Sequence, residues 1–432
     1  MFKEAMIYAL RRKQVRQFLA RAGDCRTQLD RFNAVWQDAC AHVPFYADWK
    51  SRHGLPDTIS GLGELRDWPI LEKADIIRNP DLFVRTDRKP DHASVTGGAT
   101  GEPLHFFTMR DENAAATVNK WTGWARMGLW PDSRCFLLWG HRHFYGQGWR
   151  SNVRFKIRQI QDWLTNNMRA DATDLSSEAL RADVRRLIRF RPEGIIAYSA
   201  SLLALVRTCR ESAEDCRRLG VRAVICTAGP LTAAERQEIG DFFGAPVGME
   251  YGSMEAGTMA YQTPATDGRY VPFDASHLLH VAPEPVTGNS QVLVTKLTPC
   301  YLPLVRYRIG DCICGERLDE DGIVRGFDEV FGRVGDLVDM GNGIRFHGYG
   351  FMTCAEGFDK IVAYQIRVNR ARGNVTFVAQ ATASLTAEEK AEIVKRAAHM
   401  SGLAPESVAV EESQTLVKAP SGKIRLVIEE NG

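Results

Sequence analysis

Apolar residues first recur at helical spacing in the segment 26–43. There Leu29, Phe32, Trp36, Ala39 and Val43 fall at three- and four-residue steps and mark one buried face. Pro44 lacks an amide and crowds the preceding turn, so it ends that pattern and places Phe45 and Tyr46 on a connector. From about residue 90 the period changes. Apolar runs of strand length occur at 135–140, Gly194–Tyr198, 221–229 and 291–297. Between them the segments 179–190, 201–220 and 232–243 read as helices, the last opened by a Thr232/Glu235 capping box. Beyond the glycines of 332–335 come two strand-like runs, a helix from Thr386 to about Met400 and a further strand. The expected fold class is α/β. A large N-terminal domain (1–332) has mixed sheets covered by helices, and a small mobile α+β C-terminal domain follows (333–432).

Composition narrows the possible partners more than the chemistry. The 432 residues carry 55 Lys+Arg against 53 Asp+Glu, so no global field gathers nucleic acid or anionic lipid. No basic stripe with interleaved aromatics is found, and nucleic acid is not expected as a partner. The start of the chain lacks an uninterrupted apolar segment, and the most apolar stretch, 194–206, is shorter than a membrane helix requires. The expectation is a cytoplasmic protein with no membrane partner, and a homodimer is left open. Ten cysteines in such a chain read as free thiols in a reducing compartment. Cys300, Cys312 and Cys314, with His277 and His280 upstream, form a conceivable zinc set, but free buried thiols are the favoured reading.

Three segments have chemical content. Thr96-Gly97-Gly98-Ala99-Thr100-Gly101-Glu102-Pro103 is a flexible turn whose amides and hydroxyls can converge on an anion, or an ordinary glycine-rich hairpin. Tyr251-Gly252-Ser253-Met254-Glu255 puts a ring, a glycine and a carboxylate where a base and a Mg²⁺ ion would want them; a turn with a solvated glutamate is the alternative. In Arg306-Tyr307-Arg308-Ile309-Gly310-Asp311 a carboxylate after glycine suits ribose hydroxyls, while Arg306 and Arg308 read equally well as ion-pair partners in a half-buried strand.

Taken in order, these segments resemble the motifs of the ANL superfamily of adenylate-forming enzymes, most closely its compact phenylacetate–CoA ligase-like branch. Thr96–Pro103 matches the phosphate loop ending Thr-Gly-x-Pro, Tyr251–Glu255 the Tyr-Gly-x-x-Glu motif, and Arg306–Asp311 the Arg-Tyr-x-x-Gly-Asp motif. Gly332–Asp336 matches the Gly-Arg-x-x-Asp motif that opens the mobile domain, and Gly422-Lys423 the late Gly-Lys. The resemblance spans essentially residues 30–430. Two departures stand out: Gly97 and Ala99 replace usual hydroxyl residues, and Gly335 sits at the pivot.

The resemblance implies an ATP-dependent carboxylic acid ligase that forms an acyl-adenylate and passes the acyl group to an acceptor. Lys423 and Glu255 would be catalytic, with Glu255 the Mg²⁺ ligand. Thr96, Gly97, Gly98, Thr100 and Gly101 would hold phosphates, Tyr251 and Gly252 adenine, Asp311 ribose, and Arg333 ribose or phosphate. The acid would lie near Trp139, His141, Phe144, Tyr145, Tyr198, Ala228, Gly229 and Met249, an aromatic and imidazole-rich set that favours a flat or polar-substituted acid. Coenzyme A is the favoured acceptor, a carrier-protein thiol or an amine the others. An amide synthetase and a non-catalytic binding protein on the same scaffold remain as alternatives.

Overall fold

The computed structural model describes all residues except 1, 21–25, 97–103, 141–148, 285–288, 334–336, 341–343, 419–423 and 431–432. The chain divides into two compact units. One comprises 1–98, 102–126 and 249–331, the other 99–101, 127–248 and 332–432.

In the first unit the helix Gln28–His42 begins at Thr27, whose hydroxyl and the Asp30 carboxylate satisfy each other's backbone amides in a capping box. It buries Phe32, Val35, Trp36 and Ala39, as the periodicity indicates. Pro44 does end this helix, but Phe45 and Tyr46 are not on a connector. Pro44 is the first residue of a second helix, Pro44–His53, in which Phe45, Tyr46 and Trp49 are buried. Proline suits that position because the missing amide has no intrahelical acceptor there. The Tyr46 hydroxyl donates to the Pro303 carbonyl at 2.6 Å, tying this helix to the motif segment that follows.

The first three strands of this unit's four-stranded sheet are antiparallel. His277–Pro283, Ser290–Lys296 and Tyr307–Cys314 are neighbours in that order, with Glu329–Arg333 on the edge. Val247–Ser253, Gly257–Gln262 and Tyr270–Pro272 form a meander in which Tyr251 lies opposite Ala260. The helix Arg110–Arg126 packs on it closely enough to require glycine at 123, where an added Cβ would fall 2.3 Å from the Tyr261 ring.

The second unit is built differently. Its parallel strands stand in the order Asn167–Ala170, Cys135–Leu138, Gly194–Tyr198, Ala223–Thr227. The interior positions of Cys135–Leu138, Gly194–Tyr198 and Ala223–Thr227 are apolar, as strands covered on both faces require, whereas Asn167–Ala170 carries Arg169 and is largely half-buried. The helices Ser177–Phe190 and Ala233–Phe243 appear where expected, the latter with the Thr232/Glu235 capping box. The segment 201–220 is not one helix. Ser199–Thr208 stops at Cys209, and a short helix Ala213–Arg217 follows. At the break, Arg207 and Arg210 reach Glu238, Asp359 and the Ile361 carbonyl, contacts no local pattern announces.

Residues after 332 form a four-stranded sheet ordered Val408–Glu412, Asn374–Ala381, Ile361–Asn369, Val427–Glu429, with the helix Ala387–Ser401. Val338, Phe346, Phe351, Ile366, Phe377 and Ile393 belong to an apolar core drawn entirely from this segment. It is braced to the rest of its unit by the Arg210–Asp359 pair at 2.8 Å and by Lys418 Nζ donating to the Thr173 carbonyl at 2.6 Å. Among the described residues no helix is long and apolar enough to cross a membrane.

Candidate active site

In the first unit the fold joins two motifs that lie 60 residues apart in sequence: the Tyr251 hydroxyl donates to Asp311 Oδ2 at 3.1 Å, and both side chains are buried. Tyr251 is held edge-on by Tyr270 and Phe327, themselves stacked at 4.9 Å. Gly252 is demanded by the hairpin, because a Cβ there would meet the Gly257 carbonyl at 2.5 Å. Gly310 has φ +85°, a left-handed turn immediately before Asp311 that glycine adopts without strain. Arg306 adopts φ +48° without that freedom; its amide donates to Thr295 Oγ1 at 2.9 Å, while its buried Nε has no hydrogen-bond partner. Arg308 does make the ion pair, with Glu72 at 2.8 Å.

Glu255 is buried just after the strand that carries Tyr251. Beneath it lies a pair that no motif indicated. Lys296, at the end of its strand, donates to Glu112 and lies 3.5 Å from the Glu255 carbonyl. The other Glu112 oxygen accepts from the amides of Met109 and Tyr301, both at 3.2 Å. Burial alone would push the Lys296 ammonium down, but Cys300, Glu112 and Glu255 together hold it above its ordinary value. Nothing in the sequence marks it, since the strand Ser290–Lys296 mixes apolar and polar residues and Lys296 stands in no motif. Met249 is buried on the Tyr251 strand, opposite Gln262. The Thr96 hydroxyl accepts from the Leu104 amide at 2.9 Å.

In the second unit, strand register assembles another group. Leu138 is level with Ala197, and Tyr198 with Thr227, so Trp139, Tyr198, Ala228 and Gly229 all lie at the carboxyl ends of adjacent parallel strands. That is where open α/β sheets bind ligands. The Trp139 and Tyr198 rings are 4.9 Å apart, and burial raises the Tyr198 phenol above its ordinary pKa. Ala228 has φ +66°, a strained conformation for a residue with a Cβ. The turn is fixed by Ser199, whose hydroxyl is 3.1 Å from the Thr227 carbonyl and 2.7 Å from that of Gly229.

Gly97, Gly98, Thr100, Gly101, His141, Phe144, Tyr145 and Lys423 lie outside the described residues, as does the side chain of Arg333. Lys418 and Ile424 pair as an antiparallel bridge on either side of Lys423. The zinc set is not assembled: among the described residues no three His, Cys, Asp or Glu side chains are gathered to hold a metal. The Cys300 and Cys312 thiols are buried and pushed up to about 12 by that burial, whereas Cys314 is exposed. His277 is committed to the Ala256 carbonyl through Nε2 at 3.0 Å.

This architecture, mixed α/β with a larger N-terminal and a smaller C-terminal region, is the ANL fold. A 2-hydroxyisobutyryl-CoA ligase in the postadenylation state with R3-HIB-AMP superimposes with a TM-score of 0.71, at 16% identity over 93% of this chain and 89% of that one. An anthranilate CoA ligase with bound anthranoyl-AMP gives 0.52, at 15% identity over 77% of this chain and 65% of that one. Among curated proteins, Protein CapK of Staphylococcus aureus is 21% identical over 291 residues, which cover 66% of this chain. The matched stretch spans 62% of that relative's length. No protein-family model matches the chain.

Proposed function

We propose that the protein is an ATP-dependent carboxylic acid ligase of the phenylacetate–CoA ligase-like kind, which forms an acyl-adenylate and transfers the acyl group to a thiol, with coenzyme A favoured. The observation that carries this reading is the Tyr251–Asp311 hydrogen bond, which joins the two motifs assigned to adenine and ribose within one buried cluster. The donor set also fits magnesium. One buried carboxylate, Glu255, suits an ion that takes one or two protein carboxylates and fills its remaining positions with phosphate oxygens and water. Bound there, the ion would neutralise charge on the nucleotide phosphates.

The chain's own groups have defined tasks. Asp311 accepts from ribose hydroxyls, its carboxylate oriented by Tyr251. Thr96 and the glycine-rich segment after it donate to phosphates. Lys423 places a cation between the acid's carboxylate and the α-phosphate, where two anions must approach. The carboxylate then displaces pyrophosphate from the α-phosphorus, and the mixed anhydride is kept from water until the acceptor thiol attacks its carbonyl. The Trp139–Tyr198 pair supplies the aromatic wall that favours a flat or polar-substituted acid. The segment 333–432, with its own core, moves to bring Lys423 into place for the first step.

The test is ATP–pyrophosphate exchange across a panel of aromatic and hydroxylated acids. Wild-type exchange should require Mg²⁺ and one class of acid, and E255Q should abolish exchange while the far-ultraviolet spectrum and melting temperature hold. K423A should lose exchange yet retain transfer from a supplied acyl-adenylate. Absence of wild-type exchange with every acid, together with no ATP binding, overturns the reading. Supplying CoA, amines and a phosphopantetheinyl carrier in the transfer step identifies the acceptor.

A further inference from the structure

Lys296 and Glu112 serve no step above, yet both are buried at the back of Glu255. A buried ion pair is rarely a gain in stability over apolar residues of the same volume, so its presence at this spot asks for another explanation. The geometry supplies one. Lys296 lies 3.5 Å from the Glu255 main-chain carbonyl and its ammonium is bonded to Glu112. Glu112 is in turn fixed by the Met109 and Tyr301 amides, so its carboxylate has little freedom to leave the lysine. Counted together, Lys296, Glu112 and Glu255 carry one positive and two negative charges, and the lysine is spent on Glu112.

We propose that Lys296 and Glu112 are a positioning pair for Glu255: Lys296 anchors the Glu255 main chain, and Glu112 absorbs the lysine's charge so that the Glu255 carboxylate stays free for a divalent cation. The proposal rests on the reading of Glu255 as the metal-binding carboxylate. Its consequence is specific. Without the Glu112 charge, the Lys296 ammonium has Glu255 as its remaining carboxylate partner and competes with the cation for it. An opposite charge within a few ångströms biases a carboxylate by one to three decades, so competition on the order of tenfold is expected.

The experiment measures binding of Mn²⁺ to the full-length protein in the presence of a non-hydrolysable ATP analogue, by electron paramagnetic resonance. E112Q should weaken Mn²⁺ binding about tenfold, and the double variant K296M/E112Q, which removes both charges, should restore it to within about threefold of wild type. E112D, which keeps the charge, should bind close to wild type. A merely structural pair predicts that Mn²⁺ binding follows melting temperature in every variant, whereas the proposal predicts that E112Q loses Mn²⁺ binding even at temperatures where it is fully folded. Unchanged Mn²⁺ binding in E112Q, or a double variant no better than E112Q, overturns the proposal. If E112Q does not fold, the double variant decides: binding within threefold of wild type supports the proposal and a tenfold loss overturns it. Failure of the wild-type protein to bind Mn²⁺ with the ATP analogue overturns instead the reading of Glu255 on which the proposal rests.

Discussion

Two ion pairs show how differently the two units use charge. In the first unit the Lys296 and Glu112 side chains are 5% and 10% exposed and sit behind Glu255. In the second, Arg210 and Asp359 are 48% and 62% exposed and brace residues after 332 against the helix that ends at Thr208. Both pairs bring opposite charges together, but solvent separates their roles. Water screens the exposed pair and holds each side chain almost as well when the other is absent. The buried pair has no such alternative, so each member constrains the other, and both constrain what lies next to them. Lys296 and Glu112 are therefore held to one arrangement, while the Arg210–Asp359 brace lets go at little cost.

The largest effect that should separate the regions is K296A. It strands the Glu112 carboxylate in a dry site, and breaking such a pair costs about 3–5 kcal/mol, read by chemical denaturation. K296M/E112Q should recover most of that loss, because no unpaired charge remains. Next comes acid. His280 is 2% exposed with no protein partner for either ring nitrogen, and its pKa is lowered to about 4, chiefly by burial and then by Arg306, with Arg66 adding to and Asp319 opposing the shift. The unfolded chain takes up this proton near pH 6.5 and the folded one only near 4, so stability present above pH 6.5 is lost as pH falls between those values. The loss should approach about 3 kcal/mol, and H280L should flatten the pH dependence over that window.

A smaller effect, roughly 1–2 kcal/mol, is expected for Y251F, which removes the donor to Asp311 and leaves the ring packing in place. The same variant should raise the ATP KM more than it lowers the melting temperature, since Asp311 loses its orientation. Smallest is R210A. Its pair with Asp359 is exposed, so stability should fall by less than about 1 kcal/mol, and the difference should shrink further at high salt. A loss in R210A comparable with that in K296A would erase the distinction between the two regions.

The sequence alone carried the local elements of the fold. The cap at Thr232, the helix beginning near Thr386, the strand Gly194–Tyr198 and the face of Phe32, Trp36 and Ala39 are properties of neighbouring residues, and local sequence reports them directly. The order of the motifs likewise pointed to an ANL fold, which the tertiary structure shares with the CoA ligases. Pro44 shows where local reading stops, since the same residue ends one helix and starts another, and only the burial of Phe45, Tyr46 and Trp49 selects the second role. The break after Thr208 is of the same kind, with Arg207 and Arg210 turned toward partners 28 to 154 residues away. Tyr251 and Asp311 each stood out in a sequence motif, but their hydrogen bond did not. Lys296 and Glu112 were not legible at all, because they are separated by 184 residues and neither stands in a motif. A charge can be placed in a dry interior only beside its opposite, and which residues become neighbours there is decided when strands and helices from distant parts of the chain close over them.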